Sequence, residues 1–156
     1  MSEVATSHHT IELKRTYPAA AKAVFAAWRD PAGLARWYMP GDASWSSRIE
    51  VHEFRVGGRK LLHFGPKGAP PYFEDCRYED IVDDRRVCYS MTVGQQGRRI
   101  TTSMVSVVLA PRGGSSTDVT VTDQLVILDG GDSAPERERG WGETLDKLTL
   151  ELARRT

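Results

Sequence analysis

The stretch "RTYPAAAKAVFAAWRDPAGLARWYMP", residues 15–40, decides how the rest of the chain is read. It opens as the end of an alternating segment, "HTIELKRTY" (9–17), in which Ile11, Leu13, Arg15 and Tyr17 share one face and Glu12, Lys14 and Thr16 the other. A period of two is a strand. Pro18 suits a first helical turn, and Ala20, Val24, Ala27 and Trp28 follow at helical spacing. Asp30 is the expected N-cap of a second, short helix, with Pro31 at its first position and its end near Trp37. Trp37, Tyr38 and Met39 then stand in a row before Pro40. Three large apolar side chains at a helix end must be covered. They plug a core, or they wall a space that something else fills.

Downstream, six segments read as strands: "RIEVHEFR" (48–55), "RKLLHFG" (59–65), "YFEDCRYEDIV" (72–82), "RRVCYSMTV" (85–93), "RITTSMVSVVLAP" (99–111) and "TDVTVTDQLVIL" (117–128). Gly57-Gly58, "PKGAPP", Asp83-Asp84, Gly94 to Gly97 and "RGGSS" punctuate them as turns. From about Ser133 the pattern is helical, because Trp141, Leu145, Leu148 and Leu152 recur at intervals of four, three and four. Ser133 and Glu136 form a capping box at its start. Six strands joined by short hairpins make an antiparallel meander. The apolar stripe of the last helix then belongs on the concave face of that curved sheet.

The 156 residues suit one domain with a sizeable core. Lys plus Arg and Asp plus Glu number 21 each, and this balance argues against nucleic acid or an acidic membrane surface as a partner. No leader-like start and no run of 18 apolar residues is present, so the expectation is a soluble, cytoplasmic protein without membrane insertion. Cys76 and Cys88 fall on separate strands without a CxxC and are expected to be buried free thiols. His8 and His9 sit in the polar leader, and His52 and His63 lack the spacing that zinc needs, so no metal is expected. The absence of a nucleophile elbow, a P-loop or a GxGxxG leaves no cofactor expected either.

Together with "VGGRKLLHF" (56–64) and "GWGETLDKLTLEL" (140–152), the opening stretch resembles the SRPBCC superfamily, which includes the START domain and the birch-pollen allergen. Its closest branch is the activator-of-heat-shock-protein-ATPase-homologue-like group. The resemblance implies an α+β helix-grip fold: a curved antiparallel sheet of about seven strands wrapped around a long C-terminal helix, with two short helices after the first strand. One domain would span residues 1–156, with 1–8 as a flexible leader and no appended region. It also implies a cavity between sheet and helix, with Trp37 and Tyr38 walling one end and Trp141 facing them. A tryptophan recurs in the family at the place of Trp37, which implies an architectural role there.

The expected cavity residues are Arg15, Trp37, Tyr38, Phe64, Phe73, Tyr89, Met91, Asp123, Trp141 and Leu145. Tyr89 and Met91 share the inward face with Val87 and Val93, and Phe64 and Phe73 flank the "GPKGAPP" turn as a rim. Arg15 and Asp123 lie on inward faces of the first and last strands. A charge in an apolar interior needs a partner. The two are therefore expected to approach each other, or to share a polar spot where a ligand's polar end docks. Of the strand carboxylates Glu74, Asp75, Glu79 and Asp123, Asp123 is the best placed for acid–base chemistry. The leading expectation is non-catalytic binding of a small hydrophobic molecule. The alternatives are a cyclase- or hydrolase-like enzyme using a cavity carboxylate, and a chaperone-regulating interaction domain. A homodimer and a chaperone partner stay open.

Overall fold

The computed structural model describes residues 4–155. Strand β1 (Thr6–Tyr17) is followed by helices α1 (Ala21–Arg29) and α2 (Pro31–Trp37). Six strands come next: β2 (Trp45–His52), β3 (Arg59–Pro66), β4 (Tyr72–Val82), β5 (Arg86–Gln95), β6 (Arg98–Arg112) and β7 (Ser116–Leu128). Helix α3 (Ala134–Arg154) ends the chain's regular structure. The seven strands form one antiparallel sheet in the order β1-β7-β6-β5-β4-β3-β2. This is the α+β helix-grip arrangement, an open curved sheet around α3.

Several boundaries differ from the sequence reading. Thr6 to His8, expected in the leader, are strand and pair with Leu128, Ile127 and Val126; the leader's residues 1–3 lie outside the described residues. Helix α1 starts at Ala21 rather than at Pro18. Strand β2 begins at Trp45 and ends at His52. The residues after it leave the sheet because Phe54 turns inward, its ring 5.6 Å from Phe25 and 5.0 Å from Tyr78. Asp30 precedes Pro31 as expected, but its side chain makes no capping bond. It pairs instead with Arg29 at 3.1 Å and Arg155 at 3.2 Å. At α3 half of the expected capping box forms: the Glu136 amide donates to Ser133 Oγ at 3.3 Å, while the Ser133 amide donates to Asp132 Oδ1 at 2.7 Å rather than to Glu136.

The concave face is lined by alternate residues of each strand. Val119, Val121 and Leu125 of β7, Val105, Val107 and Leu109 of β6, and Val87, Tyr89 and Met91 of β5 are all buried. Met104 is exposed on the opposite face, so β6 needs no bulge there. Against this face α3 buries Trp141, Leu145, Leu148 and Leu152. Tyr17 Oη donates to the Leu145 carbonyl at 2.8 Å, which ties mid-helix to the end of β1. Trp37 Nε1 donates to the Ala27 carbonyl at 3.0 Å and its ring meets Trp28 edge-on at 4.8 Å, locking α2 onto α1.

The C-terminal half of α3 is clamped by charge. Glu151, whose side chain is 1% exposed, accepts two bonds from Arg36 at 2.7 and 2.8 Å and one from Arg155 at 2.9 Å. The bidentate fork satisfies a carboxylate that burial alone would penalise. The Arg36 hydrogen bond, with Arg155 behind it, holds the Glu151 carboxyl below the ordinary glutamate range. A depressed carboxyl stabilises the fold above its unfolded pKa, and this stability is lost as pH falls through the folded value. Glu151→Gln is therefore expected to cost about 2 kcal/mol at pH 7, less than the ~3–5 kcal/mol of a fully buried pair because Arg36 is half-exposed. The cost should shrink toward zero in urea titrations carried out progressively below pH 4.

Candidate functional site

A pocket of about 230 Å³ lies between the N-terminal half of α3 and strands β3, β4 and β5. Phe64, Tyr72, Met91 and Val93 line it from β3, β4 and β5, Tyr38 and Met39 from the segment after α2, and Trp45 from the start of β2. Glu136, Arg137, Gly140 and Trp141 line it from α3. Trp45, Phe64 and Tyr72 stack in sequence, with ring centroids 6.4 and 5.6 Å apart and interplanar angles of 24° and 28°. Tyr38 meets Trp141 edge-on at 6.1 Å and closes the inner end. Glycine inside a helix is unfavourable by roughly 0.5–1 kcal/mol, yet Gly140 lies in α3 on the pocket wall, where a Cβ would rest against Pro40 at 3.7 Å.

Behind the inner end lies a buried ionic cluster. Lys60, 1% exposed, holds its ammonium 3.4 Å from Glu74 Oε2, 3.8 Å from the Tyr38 ring centroid and 4.1 Å from that of Tyr89. Two aromatic faces and a carboxylate together supply what a desolvated ammonium requires. Cys76 Sγ donates to the same Glu74 oxygen at 3.4 Å. Tyr38 and Tyr89 join hydroxyl to hydroxyl at 2.5 Å, and burial pushes both phenols well above their usual range. Burial, with Glu74 second, likewise drives the Cys76 thiol up, which favours its neutral form.

A second cluster sits at the opposite corner. Arg137 donates to Asp123 Oδ2 at 3.2 Å, to Thr101 Oγ1 at 2.5 Å and to Asp132 Oδ2 at 3.4 Å. Trp141 Nε1 also donates to Asp123 Oδ2, at 3.0 Å. Asp123 Oδ1 and Ser103 Oγ are buried and find no hydrogen-bond partner among the described residues.

Of the ten expected cavity residues, Tyr38, Phe64, Met91 and Trp141 line the pocket. Trp37, Tyr89 and Leu145 are buried in the packed core beside it. Phe73 is displaced by the strand's parity: Glu74 and Cys76 point inward, so Phe73 lies on the outer face over Gly94, and its neighbour Tyr72 takes the rim position. Asp123 is buried and inward, but it backs Arg137 rather than facing the pocket. Arg15 does not approach it. The register sets Asp123 opposite Ile11 and Arg15 opposite Val119, four residues or about 13 Å along the strand. Arg15 instead reaches Asp146 of α3 at 3.8 Å.

Of the remaining carboxylates, Asp75 pairs outward with Arg59, Glu79 is exposed, and only Glu74 lines the pocket. Sequence reasoning missed Lys60, Trp45, Tyr72 and Arg137. Arg137 had a signal, because it lies four residues before Trp141 and extends the helix stripe. Cys76 is buried as expected; Cys88 is only half-buried and sits on the other face of the sheet, so the two thiols are separate. Among the described residues no cluster of three or more potential ligands is placed to hold a metal ion, and no helix is long and apolar enough to cross a membrane.

The grip of the sheet on α3 and the pocket under its first half define the class. The chain belongs to the Activator of Hsp90 ATPase homolog 1-like family, whose sequence profile matches residues 18–153. It is similar to a crystal structure of a Rhizobium loti protein, with 34% identity over 94% of this chain and 99% of that one and a TM-score of 0.84. A Rhizobium leguminosarum protein shares 27% identity over 98% and 99% of the two chains, with a TM-score of 0.87. The AHSA1 protein of Silicibacter pomeroyi, at 19% identity over 95% and 100% and a TM-score of 0.75, shares the fold. Curated proteins contain no match to this chain.

His52, beside Tyr78 Oη at 3.1 Å, titrates at about 4 because burial, with the Lys60 charge second, disfavours its cation. Below its ordinary pKa of about 6.5 the unfolded chain takes the proton first, so stability falls as pH drops from there toward 4. Ring-proton NMR should show His52 neutral at pH 5, and His52→Phe should flatten this part of the stability profile.

Proposed function

We propose that this protein binds a small, mainly apolar molecule non-covalently in the pocket between α3 and the sheet. The observation that carries the reading is the pocket itself, walled largely by aromatic and aliphatic side chains, with Gly140 and Pro40 side by side on its rim. Its volume lies below the roughly 300–1,000 Å³ of drug-sized sites, which favours a single-ring or short-chain occupant over a phospholipid. Burying about 200 Å² of ligand, the scale of one aromatic side chain, returns roughly 5 kcal/mol at ~25 cal/mol per Å². This corresponds to a Kd near 0.2 mM if association costs nothing, so a tight ligand must also use a polar contact. Glu74, Asp132, Glu136 and Arg137 supply the charged groups of the wall, in place of the Arg15 and Asp123 expected from sequence.

The exposed large apolar residues argue less well for a protein partner. Val4, Val56, Val82, Met104, Val108 and Leu150 are distributed over the segment before β1, a turn, strands β4 and β6 and helix α3, and scattered residues need no partner. Calorimetry with 2-phenylethanol tests the reading. The wild type is expected to bind it at sub-millimolar to millimolar Kd. Gly140→Phe, which fills the mouth, should weaken binding at least tenfold with an unchanged far-ultraviolet circular dichroism spectrum. A folded Gly140→Phe variant that binds as well as wild type would remove the pocket from consideration.

A further inference from the structure

We infer that the pocket is built for an organic cation: a protonated amine carried on a small, preferably aromatic, body. The inference rests on the pocket reading above and adds the charge of its occupant. Three carboxylates, Glu74, Asp132 and Glu136, line the space, against one cation, Arg137. The groups directly behind the wall do not reverse this. Lys60 stands against Glu74 and Asp123 against Arg137, so the count becomes four carboxylates to two cations, an excess of two negative charges.

Arg137 is poorly free to receive an anion. Asp123 and Asp132 already sit 3.2 and 3.4 Å from its guanidinium, and Thr101 takes a further N–H. Glu74 is differently placed. It is more than nine-tenths buried and lines the pocket. The contacts from Lys60 and Cys76 both go to its Oε2, which leaves Oε1 for an occupant. An anionic ligand would meet the like charge of Glu74 at the inner end and of Asp132 and Glu136 at the mouth. An ammonium meets opposite charge at both.

The walls match the same chemistry. Ammonium groups bind over aromatic faces, and the Trp45-Phe64-Tyr72 stack, Tyr38 and Trp141 surround the space. The protein already holds one ammonium in this manner, that of Lys60, between the Tyr38 and Tyr89 rings with Glu74 as counter-ion. The depression outside the mouth, which shares Trp45, Glu136 and Gly140 with the pocket, adds Asp42, Glu143 and Asp146 against Arg139, Lys147 and the Arg15 paired with Asp146, so the approach adds no net charge that opposes a cation.

Three probes with one aromatic body test the inference: 2-phenylethylamine, 2-phenylethanol and 3-phenylpropanoate, titrated calorimetrically at pH 7 and low salt. The amine is expected to bind at least tenfold tighter than the alcohol, with the carboxylate weakest. This advantage should fall severalfold in 0.5 M NaCl, and also in Glu136→Gln, whose side chain is at the exposed mouth. Glu74→Gln should abolish the advantage while sparing the alcohol. If that variant fails to fold with Lys60 left unpaired, the wild-type ranking and the Glu136 variant still decide. Alcohol binding with no preference for the amine, or a preference for the carboxylate, overturns the cation inference and leaves the pocket reading standing. Binding of none of the three overturns the pocket reading with it.

Discussion

Helix α3 is packed solidly along its C-terminal half and borders a pocket along its N-terminal half, and the remaining features of the molecule follow from that asymmetry. The Glu151 clamp and the Tyr17–Leu145 bond hold the C-terminal half against α1, α2 and the end of β1. There the space between helix and sheet is filled with Leu145, Leu148, Leu152 and the indoles of Trp28 and Trp37. At the other end Arg137 and Trp141 reach across to Thr101 and Asp123 of β6 and β7, while the space beside them toward β3, β4 and β5 stays open. Interior packing tolerates few voids, so a gap of this kind persists only where rigid elements impose it. The space between the bent sheet and its helix is thus occupied along half its length and open toward β3, β4 and β5 along the rest.

Two buried ion pairs frame the open half. Lys60 with Glu74 and Arg137 with Asp123 lie at different corners, each supplemented by neutral groups: tyrosine faces for the lysine, Thr101 and the Trp141 indole for the second pair. Ion pairs in low dielectric contribute little net stability, because desolvation offsets their attraction. Their value here is geometric. The first fixes Tyr38 at the inner wall, and the second fixes Arg137 and Trp141 at the helix end, so that the polar groups facing the pocket are held in place.

The architecture was largely legible in the sequence, because alternation, turn residues and one apolar helix stripe all pointed the same way. The site was legible only in part, and the failures share a cause. In strands a one-residue error in parity moves a side chain to the other face. "YFEDCRY" offers Tyr72 and Phe73 side by side, and nothing local says which points inward; Glu74, a charged residue, sets the inward series. "RKLLHF" hides Lys60 in the same way, since the adjacent Leu61 and Leu62 leave the face undecided and a buried lysine is rarely the first choice. Arg15 and Asp123 were correctly assigned to inward faces, but their separation along the strands depends on register, which the two strands' patterns do not fix. Arg137 was obscured by the charged run "PERERGW", where only its spacing from Trp141 distinguishes it from its neighbours.

The strand order also has a bearing on how the protein is made. β1 and β7 are neighbours although Tyr17 and its partner Thr117 are 100 residues apart in the chain, whereas every other adjacent pair of strands is joined by a hairpin. At ribosomal elongation of about 5–20 residues per second, the first strand waits roughly 5–20 seconds for its mate. During synthesis the meander from β2 to β7 can zip progressively, while the amino-terminal strand stays unpaired until nearly all of the polypeptide has emerged. Closure of that long loop is the entropically slow event, and the nascent chain passes through a stage in which the sheet has a bare edge at β7 that another strand could occupy.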